Sequence, residues 1–272
     1  MPHSGLNAWA SGACSGSTVS RDYLYQPEWA LRHRIGWTGD PPQLGVHGGR
    51  HSEQFHPDCH AQAGNLAQDL DRLARSFPPS GGDWSLRWIG DIGVRVCKPG
   101  WHRYGLALDL TRFTFGGDRY VDLNRHWRSP QIALRRRYLA VVAVCRKFFG
   151  TVLHGYNDPD GTHVNHIHVD RGRHAVALSR SNRTDTVIVQ WAARDLAEYP
   201  TMAIDGIWGP QTQSGYERLL ARFRMRTAFG GCYDYDPLSN ATHQRVLMEL
   251  IARHAFANRV AGFYTAPTPP CF

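Results

Sequence analysis

The chain has 272 residues, a hydrophobic share of 42%, and 31 Lys and Arg against 23 Asp and Glu, giving a formal net charge of +8. Those figures suit a soluble globular protein with one large domain and a small one, or two of middling size. No apolar stretch reaches transmembrane length and Met1 to Ser20 lacks the apolar core of a signal peptide, so we expect no membrane span and no visible export signal.

The positive charge implies attraction to polyanions and does not choose among nucleic acid, membrane surface and cell wall. No aromatic-basic signature supports nucleic acid, which ranks last. Cys14, Cys59, Cys97, Cys145, Cys232 and Cys271 form no Cys-x-x-Cys pair, which argues against a zinc ribbon or a thioredoxin-like motif. Disulfides and buried free thiols both stay open on spacing alone.

Residues 1–55 are rich in Gly, Ser, Pro and His, with a short helical hint at Pro27–Arg34, and are expected to be irregular. His47, His51, His56 and His60 lie among helix-breaking residues and read as an exposed His-rich loop rather than a second metal site. From Cys59 to Phe77, Leu66, Leu70, Leu73 and Phe77 recur at spacings of three and four, which predicts an amphipathic helix ended by Pro78 and Pro79. Trp84–Val96 and Leu106–Phe115 read as strands, Gln131–Phe149 as a helix, and Val164–Val169 as a strand. The expected fold class is α+β, a small, mostly antiparallel sheet with flanking helices. The polar run Arg173–Thr186 marks the expected domain boundary. Beyond it, Thr186–Tyr199, Gln211–Phe223 and Ala241–Ala255 predict a separate three-helix domain.

Two segments carry the chemistry. In Gly100-Trp-His-Arg-Tyr-Gly-Leu-Ala-Leu-Asp109, His102 precedes Asp109 by seven residues, and Asp109 sits in an apolar strand where a carboxylate needs a cation or a hydrogen-bond partner. In His163-Val-Asn-His-Ile-His-Val169, His166 and His168 are two apart and project from one strand face. Together these segments offer His, Asp and His ligands of the kind zinc accepts, with a fourth position open for water, which is the pattern of a catalytic site.

The pattern His-x-x-Gly-x-Ala-x-Asp followed by His-x-His resembles the zinc-peptidase superfamily of D-Ala-D-Ala carboxypeptidases, lysostaphin-type endopeptidases and the amino-terminal hedgehog domain. Within that superfamily, Val96-Cys-Lys98 and the run Val144-Cys-Arg-Lys-Phe-Phe-Gly-Thr-Val-Leu-His-Gly-Tyr-Asn157 are similar to the bacterial extensin-like C-terminal domain, over roughly residues 59–170. The resemblance implies zinc ligands His102, Asp109 and His168. Asn165 stands where the superfamily carries a Glu base, and an amide cannot take a proton, so His166, and after it His163, become the candidate general bases. Arg95, just upstream, is a candidate stabiliser of the oxyanion or of a substrate carboxylate, with a salt-bridged surface arginine as the equally weighted alternative, and Gly100 replaces a usual Ser two before the first ligand. Cys97 and Cys145 sit where such domains carry a pair, implying a disulfide.

Further on, Val187-Ile-Val-Gln-Trp-Ala-Ala-Arg-Asp-Leu196 and Ile204-Asp-Gly-Ile-Trp-Gly-Pro-Gln-Thr212 resemble the first type of peptidoglycan-binding domain. That resemblance implies a groove with Trp208 and Tyr216 as contacts, and Asp234–Leu247 is read as a degraded second copy. The expected organisation is an irregular segment 1–55, a catalytic domain 56–178 and a peptidoglycan-binding domain 185–265. The expected function is zinc-dependent hydrolysis of peptidoglycan peptide bonds, as a D,D-carboxypeptidase or an endopeptidase, in the cell wall or outside the cell, either periplasmic or secreted by a bacterium or delivered by a phage. The competing expectation is a non-catalytic wall-binding protein with a vestigial zinc site.

Overall fold

A computed structural model describes residues 24–26, 34–37, 53–91, 100–158, 161–171, 177–225 and 235–260. Strands β1 (Leu24–Gln26) and β3 (Glu53–Phe55) pair antiparallel with each other. The main sheet has the order β2 (Arg34–Trp37), β4 (Leu86–Asp91), β5 (Ala107–Phe115), β8 (Ile167–Asp170) and β7 (Thr151–Leu153), with β6 (Arg119–Asp122) also paired to β5. Every pairing in it is antiparallel except that of β2 with β4, so the chain is α+β with a small, mostly antiparallel sheet, as expected.

Of the segment 1–55, expected to be irregular, the described residues are strands: β2 extends the main sheet and β1 and β3 pair with each other. Strands of three and four residues are too short for alternation to mark them, and their pairing partners are distant in sequence. Arg34, the end of the helical hint, opens β2.

Five helices follow the apolar periodicity: α1 (Pro57–Ser76), α2 (Ile132–Phe148), α3 (Arg183–Leu196), α4 (Pro210–Arg222) and α5 (Ala241–Phe256). In α1, Cys59, Ala63, Leu66, Leu70 and Leu73 fall on one face and are all buried. The helix begins at His56, whose Nδ1 accepts from the Asp58 backbone N–H at 3.2 Å. His56 is therefore a cap and His60 a helix residue, while His47 and His51 lie outside the described residues. Helices α1 and α2 pack on the sheet face that carries Ile89, Leu110, Phe113 and Val169. No helix among the described residues is long and apolar enough to cross a membrane.

The last three helices do not form the separate three-helix domain expected. Helices α3 and α4 pack together, but α5 packs mainly along α2, and one continuous cluster of buried residues runs from Cys59 to Phe256. A buried ion pair spans the expected boundary, with Arg146 Nε 2.6 Å from Asp185 Oδ1 and Nη2 donating to Oδ2 at 3.2 Å. An amphipathic helix announces that it needs an apolar partner without naming it, and here the partner of α5 lies a hundred residues upstream.

Candidate metal centre

Asp109 and His168 are direct cross-strand partners of β5 and β8, and Ala107 faces Asp170 one step away. Side chains alternate along both strands, so Leu108, Leu110, Ile167 and Val169 turn into the core while Asp109, His168 and Asp170 share the opposite face. His102 arrives on a 3-10 turn, Trp101–Tyr104, immediately before β5. Gly105 closes that turn in the left-handed region at φ 65, where its N–H meets the His102 carbonyl at 3.0 Å. A side chain at this position would strain the turn that aims His102.

Three donor atoms converge as a result. His102 Nε2 lies 3.1 Å from Asp109 Oδ1 and 3.1 Å from His168 Nδ1, and His168 Nδ1 lies 2.8 Å from the same carboxylate oxygen. A closed triangle cannot be satisfied by hydrogen bonds alone, since each ring nitrogen directs one in-plane proton or lone pair. Among the described residues these three form the group able to hold a metal ion, and all are buried or nearly so.

The electrostatics agree. Burial disfavours a charge on Asp109, yet the imidazoles of His102 and His168 outweigh it and hold the carboxyl well below the usual range. Burial likewise opposes charge on His168, but Asp109 and Asp170 raise it to about 9. The carboxylate of Asp109 is thus balanced, in the absence of a metal ion, by a proton on His168.

Two further imidazoles border the triad. His166 precedes β8, with Nε2 3.6 Å from Asp109 Oδ1 and Nδ1 2.7 Å from Asn165 Oδ1. His163 has its ring centroid 5.0 Å from that of His166 and 5.5 Å from that of His168. Its Nδ1 faces Asp158 Oδ2 at 3.1 Å, and burial first, then His168, lowers its pKa. The structure thus gathers His102, Asp109, His163, His166 and His168 in one place. Sequence reasoning missed Asp158 and Asp170; the latter was within reach, because His166, His168 and Asp170 continue one period-two row.

Arg95 and Cys97 lie outside the described residues, as do Cys14, Cys232 and Cys271. Among the described residues Cys145 is a free, fully buried thiol on the core face of α2, and burial pushes its pKa up; its expected partner Cys97 lies outside them. Cys59 is buried and free as well.

In the helical region, Tyr216 is wholly buried, so it is a core residue rather than the ligand contact expected. Trp208 is half-buried, meets the Tyr216 ring edge-on at 5.5 Å and donates from Nε1 to Gln213 Oε1 at 3.1 Å. The motif residues satisfy one another. Gln190 Nε2 donates to Asp205 Oδ1 at 2.7 Å and to Thr212 Oγ1 at 2.9 Å, while Gln190 Oε1 accepts from the Gly206 N–H at 2.9 Å. Gln190, buried between α3 and the 204–209 loop, therefore fixes that loop on the helix. Of the expected second copy, Asp234 lies outside the described residues and the end of the segment forms α5.

No curated protein and no solved structure matches the chain. Residues 94–180, which hold all three triad members and both flanking histidines, match the family model of the extensin-like protein C-terminus, so an extensin-like C-terminal domain is present in this chain.

Proposed function

We propose that this chain is a zinc-dependent peptidase that hydrolyses peptide bonds of bacterial peptidoglycan. The single observation carrying the proposal is the convergence of His102 Nε2, Asp109 Oδ1 and His168 Nδ1 from a turn and two strands, 2.8–3.1 Å apart. Ligands about 2.0–2.1 Å from a tetrahedral zinc ion stand about 3.3 Å from one another, so the donor set fits with small adjustment. Zinc held there supplies a Lewis acid for a substrate carbonyl and lowers the pKa of water.

The chain's own groups do the rest. Asn165 Oδ1 accepts from His166 Nδ1–H, which leaves the lone pair on Nε2, the ring atom turned toward the triad. His166 is then the base that takes a proton from water and returns it to the leaving amine, and Asn165 orients that base without being one. The Asp158 carboxylate orients His163 in the same manner, placing a second imidazole beside the first. Attachment to the wall through the segment following residue 183 belongs to the same proposal; it is supported by the resemblance of the Gln190 and Asp205–Thr212 motifs, by partly exposed Trp208 and by the net charge of +8. The substrate places the protein outside the cytoplasm.

The test is release of fragments from purified peptidoglycan by the zinc-loaded full chain. Activity lost with a chelator, restored by zinc and absent in His168→Ala supports the proposal. Zinc held tightly with no release of any peptide fragment sinks it, and favours the non-catalytic wall-binding reading.

A further inference from the structure

Strand β5 carries a bulge. Gly90 pairs with Arg112 and Asp91 with Leu110, so the register shifts by one residue and Thr111 is the extra residue of the bulge. The insertion changes which residues face the core. Leu110, Phe113 and Phe115 are fully buried on the helix side, whereas Arg112 and Thr114 are half-buried on the side that carries Asp109. Without the bulge, Arg112 would point into the core.

The Arg112 side chain makes no hydrogen bond among the described residues, and its Nε is buried without a partner. Its guanidinium lies 3.8 Å from the centroid of the Tyr120 ring, a contact that fixes its plane and uses none of its N–H groups. The nearby carboxylate is Asp122, its cross-strand neighbour, but Asp122 Oδ1 accepts from the backbone N–H groups of Asn124 and Arg125 at 2.9 and 3.2 Å. His126 stacks on Tyr120 at 5.5 Å, and its Nδ1 accepts from the Asp122 N–H at 3.1 Å, so the ring, kept neutral by burial, carries its proton on Nε2. Gly90, across the sheet from Arg112, adds no side chain to fill the space. Stacked guanidinium, unspent donors and a neighbouring ring donor are the elements of a carboxylate site.

The site adjoins the metal centre. Asp109 and Arg112 are three residues apart on one strand, about 10 Å at roughly 3.3 Å per residue. The turn His126–Arg128 links the two, because Trp127 Nε1 donates to the Val164 carbonyl at 2.9 Å, in the loop that carries His163 and His166. We propose that Arg112, supported by Tyr120 and His126, is an anion subsite that takes a carboxylate of the peptide substrate two to three residues from the bond presented to His102, Asp109 and His168. This inference rests on the peptidase reading for the identity of the peptide. It predicts selectivity for stem peptides with a free acid at that place over amidated ones.

The experiment separates the two readings. NMR titration of the full chain uses a stem tetrapeptide with free carboxylates and the same peptide with every carboxylate amidated. It is run in a His168→Ala background so that no carboxylate is drawn to a metal ion. The acid should bind about tenfold more tightly, the preference should fall below about twofold in Arg112→Gln, and Arg112→Lys, which keeps the cation and serves as the folding control, should recover part of it. An equal preference in Arg112→Gln, or none in the parent, overturns the subsite whatever the hydrolysis assay gives. No hydrolysis by the zinc-loaded unsubstituted chain, with the acid preference intact, overturns only the peptidase.

Discussion

His168 offers Nδ1 to the triad while its Nε2 lies 3.4 Å from Asp170 Oδ2, so the ring is held at both nitrogens. A carboxylate behind a ligating imidazole fixes its orientation and makes it a stronger donor, and loss of such a partner lowers metal affinity by about 10–100-fold. Asp170→Asn should weaken zinc binding by that factor, as measured by competition with a chromophoric chelator, with the folded far-ultraviolet spectrum kept; unchanged affinity would make Asp170 a mere neighbour. The candidate ligands themselves were legible, because an Asp inside an apolar strand needs a cation or a hydrogen-bond partner and a His-x-His pair puts two imidazoles on one strand face. Asp158 was not, since a carboxylate five residues before His163 in a turn carries no periodic signal. The pairing of Asn165 with His166 likewise depends on a side-chain rotation that only the folded chain fixes.

At the scale of elements, the long helices and β5 were legible from apolar spacing, whereas β6 and β7, of four and three residues, are shorter than one readable period. The bulge at Thr111 was equally invisible, and it decides which way Arg112 points. The loop between β7 and β8 is positioned by Trp127, whose ring stands edge-on to Tyr156 at 5.2 Å and whose Nε1 holds the Val164 carbonyl at 2.9 Å. Gly155 makes room for that ring, since a Cβ there would stand 2.5 Å from Trp127 Cε2. Gly155→Ala must therefore displace Trp127 and, with it, the loop carrying His163 and His166. It should cost about 1–3 kcal/mol of stability, as overpacking does. Hydrolysis should fall further than zinc affinity, because His102 and Asp109 ride on other elements; equal losses in the chelator competition and the peptidoglycan assay would contradict this.

On the scale of the whole molecule, the division into a catalytic body and an independent helical domain was the least legible feature, because apolar periodicity fixes a helix and leaves its partner open. The charges show where α5 belongs. Glu249 on α5 meets Lys147 of α2 and, at 2.8 Å, Arg72 of α1, while Asp69 of α1 pairs with the same Lys147. Burial alone would raise the pKa of Glu249, but Lys147 and Arg72 outweigh it and bring it from 4.5 down to about 2. A folded-state value below the unfolded one means that the stabilisation is complete above about pH 4.5 and disappears as the pH falls toward about 2. Glu249→Gln should therefore lose on the order of 2 kcal/mol at neutral pH, because it leaves Lys147 with one carboxylate fewer in a largely buried network. The two proteins should become equally stable as the pH approaches 2. Urea denaturation of both at pH 7, 4 and 2.5 reads this directly, and the full chain should unfold in one transition, since α5 and α2 share one core. A constant gap between the two stability curves across that range, or a separate transition for the last three helices, would show that the network does not join α5 to the sheet-bearing body.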